Sequence, residues 1–179
     1  MRLLKDLKSL NKFEIILLVV SNIVIFSTHF FLPNANVVST FASMIGVTSL
    51  VFIAKGVVLG QILCIIFSIF YGLISLANGY YGEMLTYVCM TLPMNVFSLI
   101  SWIRHPFKDT NEVEVSSLSI KKILLIFILS IGVTIIFYFV LKALNTASLI
   151  VSTISITTSF IAVSLTFFRS PFLKTYKTL

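Results

Sequence analysis

Acidic residues are scarce in this chain: six Asp and Glu among 179 residues, against thirteen Lys and Arg. Charged residues of both signs make up 11% of it, where a soluble domain averages about 25%. So little charge excludes a water-soluble globular domain. Cysteine is rarer still, and Cys64 and Cys89 both fall inside apolar runs. They read as small packing residues, neither a disulfide framework nor metal ligands, and the redox compartment is not legible from them. His29 stands alone near the end of a run, so no metal site has a ligand set. A nucleophile elbow and a glycine-rich phosphate loop are also missing, and no acid, base and nucleophile converge at one depth. A membrane-embedded enzyme is the weakest reading, and no cofactor is implied.

Apolar residues, in contrast, supply 58% of the chain. Uncharged stretches run over 15–54 (broken near Pro33), 56–82, 84–103, 123–141 and 143–168. A spanning helix needs about 20 apolar residues. Split at its turns, the pattern predicts six spans, near 14–32, 37–54, 57–77, 82–102, 121–141 and 147–168. The first is too long for the core of a cleaved signal peptide and lacks a small-residue cleavage site. The chain is therefore an all-α integral membrane protein whose largest partner is the lipid bilayer.

The net charge of +7 is a topology signal and not a nucleic-acid patch. Twelve of the thirteen basic residues lie in alternate loops, and only Lys142 falls on the other side. The positive-inside rule places both termini in the cytoplasm. Residues 1–13 read as a basic cytoplasmic lead and 14–77 as a first three-helix bundle. Residues 82–102 form a linking helix, 103–120 a cytoplasmic loop, 121–168 an incomplete second bundle and 169–179 a cytoplasmic tail. The loop has the mixed charge of a solvated linker, with partner binding as the alternative. A faint echo between FASMIGVTSLVFIAKG at 41–56 and TTSFIAVSLTFFRS at 157–170 suggests duplicated bundles.

The fourth span is chemically unusual. Hydrocarbon offers no water to polar groups, so such residues persist at depth where they face protein or a wet cavity. Glu83 opens this span, either as a carboxylate favoured by the helix dipole or as a gating residue. Pro93 lies mid-span, where it removes one backbone hydrogen bond and kinks the helix, and is assigned with Glu83 to gating. Tyr87, Thr91 and Asn95 suit a cavity lining; for Asn95, an interhelical bond is the competing role. Trp102 belongs either to the interfacial aromatic belt or to a stacking surface for an aromatic solute. Tyr71 is deep enough to point inward, whereas Tyr80 and Tyr81 read as belt residues. In the sixth span Ser148, Ser152, Ser155 and Ser159 share one face, broadened by Thr153 and Thr157. That face serves close helix packing or a hydroxyl-lined path, and Ser155 is its candidate solute contact. No carboxylate lies at mid-depth to couple an ion, since Glu14 and Glu83 sit near the two ends.

Residues 71–107, YGLISLANGYYGEMLTYVCMTLPMNVFSLISWIRHPF, resemble the PnuC family of nicotinamide riboside transporters. FIAKG at 52–56, EVEVSSLSIKK at 112–122 and STISITTSFIAVSLTFFRSPF at 152–172 support the resemblance, which extends from about residue 40. It implies a seven-helix bundle of three, one and three helices related to SWEET sugar transporters. It also implies facilitated diffusion of nicotinamide riboside, trapped by phosphorylation in the cytoplasm of a bacterium, and a homotrimer. Relatives in the wider group carry thiamine, riboflavin or deoxynucleosides; a non-transporting membrane subunit is the reading from another class. Two departures stand out. Tyr87 occupies a place where the family has an amide side chain. Leu179 also precedes the seventh helix, so the expectation is a truncated member with six of seven helices.

The topology is testable by labelling single cysteines in a background with Cys64 and Cys89 replaced. A membrane-impermeant maleimide should label Ala35→Cys in intact cells, and Thr110→Cys only after permeabilisation. The opposite pattern would invert the assignment.

Overall fold

The computed structural model describes residues 10–31, 36–107, 112–146 and 149–169. The expectations at residues 1–9, Pro33, 108–111, Ser148 and 170–179 lie outside them. Among the described residues six helices are long and apolar enough to cross a membrane. They are α1 (Lys12–Phe31), α2 (Val37–Lys55), α3 (Val58–Ala77), α4 (Tyr81–Arg104), α5 (Ile120–Ala143) and α6 (Leu149–Phe167). The chain is a multi-pass, all-helical membrane protein. A helix satisfies its backbone groups internally, which is why apolar runs of this length adopt it in lipid.

Helix ends follow local chemistry. Asn36 caps α2 with its side-chain oxygen, which accepts from the Val38 N–H at 2.8 Å. Gly56 closes α2 in the left-handed region, φ +79°, where its N–H reaches back to the carbonyls of Ile53 and Phe52. A side chain there would be strained, so glycine permits the sharp reversal into α3.

The helices pack in an order that differs from their order in the chain. α1 lies on α2, α2 on α3, α3 on α4, α4 on α6, and α6 on α5. α4 is therefore central, while α1 and α5 flank the bundle. The outward residues of these two are Ile, Leu, Val and Phe, and α1 has no buried residue. Hydrocarbon solvates such faces as well as protein does, so helix contacts must come from close packing and polar pairs. Small residues supply the first. A Cβ on Gly46 would meet the Phe67 ring at 2.9 Å, and one on Gly60 would meet the Ile53 backbone nitrogen at 2.5 Å. Polar pairs hold the flanking helices: Lys55 Nζ on Glu14 Oε2 at 2.9 Å, Asn22 on Thr48 at 3.4 Å, and Thr134 with Thr157 at 2.7 Å.

One end of the bundle is sealed by the stretch that follows α4. Val113 is buried, and its N–H donates to Gly56 O at 2.8 Å. Glu114 N–H donates to His105 O at 2.9 Å, and Ser116 N–H to Arg169 O at 3.0 Å. Residues 112–116 thus tie the α2–α3 turn, the end of α4 and the end of α6 together. A freely solvated linker was expected there. Partnered backbone groups make this part of it a strap.

Gly60→Ala is expected to lower stability by about 1–3 kcal/mol, the usual cost of overpacking against backbone. Gly132, around which a Cβ would find open space, should accept Ala with no loss. Thermal unfolding of the two variants in detergent checks this contrast.

Candidate functional site

α3 and α4 run antiparallel, and their contact is lined by polar side chains along most of its length. On α3 the spacing of Gln61, Cys64, Ser68, Tyr71 and Ser75 alternates three and four, which places all five on one helical face. Gln61, Ser68 and Ser75 are buried. On α4 the facing residues are Tyr87, Asn95, Ser98 and Trp102, of which the last three are buried.

A feature of α4 brings these four into line. Residues Thr86–Thr91 form a π-turn, directly before Pro93. Pro93 has no N–H to give to the preceding turn, and the wider turn moves the ladder so that Leu92 N–H donates to Tyr87 O. Thr91 Oγ1 donates to Thr86 O at 3.1 Å, five residues back. Tyr87 and Asn95 are eight residues apart, which on an unbroken α-helix of 3.6 residues per turn leaves them about 80° out of phase. One wider turn removes most of that offset. Pro93 was expected to kink the helix; the structure shows this change of phase directly before it.

Near the Glu83 end of the seam three rings meet. Tyr71 and Tyr87 lie 4.5 Å apart between ring centroids, tilted by 50°. Phe67 stands 5.4 Å from Tyr71 and edge-on to Tyr87 at 5.7 Å. All three are half-buried, and Glu83 is exposed one turn before Tyr87. About two turns further along, Asn95 is 2% exposed and donates from Nδ2 to Cys64 Sγ at 3.2 Å, with Ser68 Oγ at 3.5 Å. Beyond Asn95, both amide atoms of Gln61 and the Ser98 hydroxyl are buried without a hydrogen-bond partner.

The sequence-predicted site residues thus divide. Tyr71, Tyr87 and Asn95 come together on the seam, with Glu83 at its mouth. Thr91 lies beside them but spends its hydroxyl on the helix backbone. Two expectations require correction. Trp102 neither faces lipid as a belt residue nor presents a stacking face: it is 0% exposed, and its Nε1–H donates to Thr166 O at 2.9 Å. With Ser101 Oγ donating to Phe167 O at 3.2 Å, it fastens α4 to α6 at the strapped end. Ser155 is exposed on the flank of α6, because Thr153, Ile156, Phe160 and Ser164 take the buried face. The large side chains Ile156 and Phe160 pack with Met90 and Leu141, and this sets the rotation of the helix. Gln61, Ser68 and Ser98 escaped the sequence reading; a glutamine within an otherwise apolar run was the available signal.

A crevice of about 470 Å³ between α1 and α2, lined by Leu18, Asn22, Phe26 and Thr48 among others, lies away from this seam. It is a gap at a flanking helix, and none of the candidate site residues lines it. Trp102→Phe is expected to destabilise the fold by about 1 kcal/mol, since Thr166 O keeps a second donor in the Arg169 N–H. It should leave solute affinity unchanged; a changed affinity with unchanged melting temperature would return Trp102 to the binding surface.

Comparison with known proteins agrees with this architecture. No curated protein matches the chain. A solved structure described as the vitamin B3 transporter PnuC superposes with a TM-score of 0.74 at 21% identity, over 92% of this chain and 71% of that one. At that identity the likeness establishes the fold. The model of the nicotinamide mononucleotide transporter family matches residues 36–171, so α1 lies outside the match and the α3–α4 seam within it. This chain belongs to the nicotinamide mononucleotide transporter (PnuC) family.

Proposed function

We propose that the chain carries nicotinamide riboside across a bacterial cytoplasmic membrane by facilitated diffusion, along the α3–α4 seam. The observation that carries this reading is the Phe67–Tyr71–Tyr87 cluster, set on the same seam as Asn95. A nucleoside with an aromatic base needs ring faces, a few amides and hydroxyls, and no strong fixed charge at mid-membrane. The seam has that inventory. Tyr71 and Tyr87 offer faces to the base, Asn95 and the lone pairs left on the Thr91 hydroxyl are the polar contacts, and Glu83 with the Pro93 turn gates the outer end. Both termini lie in the cytoplasm, which makes the strapped end the inner one. Phosphorylation inside the cell keeps the inward gradient, and the assembly is a homotrimer by family resemblance. The three, one and three arrangement of a SWEET-like bundle belongs to the same proposal.

A mid-membrane carboxylate that exchanges protons or binds sodium is the usual mark of a coupled carrier. Glu14 is instead engaged with Lys55 at one end, and Glu83 lies at the other. That favours passage down a gradient. A related solute, thiamine or a deoxynucleoside, is the second reading. It draws on Tyr87, whose ring and hydroxyl stand where the family has an amide.

Labelled nicotinamide riboside should enter cells that lack their own carrier and express this chain, with saturation and with block by excess unlabelled riboside. Dissipating the proton or sodium gradient, with trapping kept intact, should leave the initial rate unchanged; collapse of uptake would show coupling. Base–aromatic stacking is worth about 1–3 kcal/mol. Tyr71→Ala or Tyr87→Ala should therefore raise the half-saturation concentration by roughly tenfold or more.

A further inference from the structure

Gln61 is the most costly residue in the described bundle to leave as it stands. It is 0% exposed, and neither its Oε1 nor its Nε2 has a partner; Ser98, also 0% exposed, lacks one for its hydroxyl. A buried polar group without a hydrogen bond has given up its water and gained nothing in exchange. An apolar side chain of the same size would avoid that cost, so a carbonyl and an amide held here need another reason.

The two residues belong together. The ring pair Tyr71–Tyr87 and the bond between Asn95 and Cys64 set the antiparallel register of α3 and α4. The same register puts Gln61 opposite Ser98, about one turn beyond Asn95 toward the strapped end. Gln61 lies ten residues from Tyr71 on α3, which is about 15 Å along a helix. A solute whose base rests on the tyrosines therefore does not reach Gln61 at the same time.

We infer that Gln61 and Ser98 form a second solute station on the path, distinct from the aromatic one, which takes a primary carboxamide. The inference rests on the proposed transport function and specifies the chemistry of its inner half. A glutamine amide presents one acceptor and one donor side by side. Its complement is a group with one donor and one acceptor at the same spacing, which a primary carboxamide supplies in a paired, two-bond geometry. A carboxylate offers acceptors alone and would set an anion against Gln61 Oε1, with no basic side chain in the seam to neutralise it. The station thus selects the amide over the acid. Ser98 adds a hydroxyl that donates or accepts.

In the present arrangement the station is shut. Trp102 and the strap through Val113 and Glu114 close the end beyond it. The unsatisfied amide makes that closed form costlier. A carboxamide arriving from the aromatic station satisfies it, and release follows when the end of α4 parts from α6.

The test is equilibrium binding of tritiated nicotinamide riboside to the full chain in nanodiscs, competed by nicotinamide and by nicotinate. The unmodified chain should prefer nicotinamide over nicotinate by tenfold or more. Gln61→Leu should weaken riboside binding about tenfold and abolish the preference, with a melting temperature equal to or above that of the unmodified chain. Ser98→Ala should weaken binding severalfold while keeping the preference. Unchanged affinity and preference in Gln61→Leu would overturn the station and leave the transport reading intact. A fall in its melting temperature alongside the loss of binding would overturn it too, by showing that Gln61 supports the fold. Failure of the unmodified chain to bind riboside would overturn the transport reading, and the station with it.

Discussion

A polar side chain carried into hydrocarbon needs its partner within the protein, and five of the nine buried polar side chains among the described residues, Gln61, Ser68, Ser75, Asn95 and Ser98, stand on α3 and α4. Lipid tails do not drive two apolar helices together, because they solvate Leu and Ile as well as protein does. Association has to come from close approach and from polar pairs. The α3–α4 contact has both: Gly72, where a Cβ would strike Val88 at 2.7 Å, and the Asn95 amide on Cys64 and Ser68. α2 is held by its contact with α3, and α6 by its contact with α4, so the arrangement of the bundle rests on this pair.

The same constraint links structure to transport. A seam that buries amides and hydroxyls is the place where a polar solute meets the fewest unfavourable contacts. Pro93 is part of this linkage. By forcing a π-turn just before it, the proline alters the phase of α4, and Tyr87 is thereby delivered to the face that holds Asn95. A conventional helix would present Tyr87 away from Tyr71. Wider turns of this kind recur at functional sites because they redirect side chains without breaking the helix. The Trp102 and strap contacts lie at the far end of the seam.

Much of the fold was legible in the sequence, since span length and charge govern membrane helices so strongly. The observed ends of all six lie within two residues of those read from the apolar runs. The gathering of Tyr71, Tyr87 and Asn95 was legible in part, because polar residues at depth are few and must face inward. What escaped depends on contacts distant in sequence. Trp102 ends its helix where an interfacial tryptophan would, and only Thr166, on another helix, reveals it as a fastener. The serines of α6 keep a spacing of three and four, yet so do Thr153, Ile156, Phe160 and Ser164, and bulk decided between the two faces. Gln61 was passed over because it bears no charge. Its importance comes from complete burial with both amide atoms unpartnered, which the sequence does not display.

The central claim is that the α3–α4 seam is the solute path. Its most direct test is substituted-cysteine protection in membranes, in a background with Cys64 and Cys89 replaced. Ser68→Cys and Asn95→Cys should react with a small water-soluble thiol reagent and be protected by nicotinamide riboside. Leu73→Cys and Phe97→Cys, on the outward faces of the same helices, should show no such protection. Seam cysteines that stay inert, or that react at a rate the solute does not change, would contradict the account.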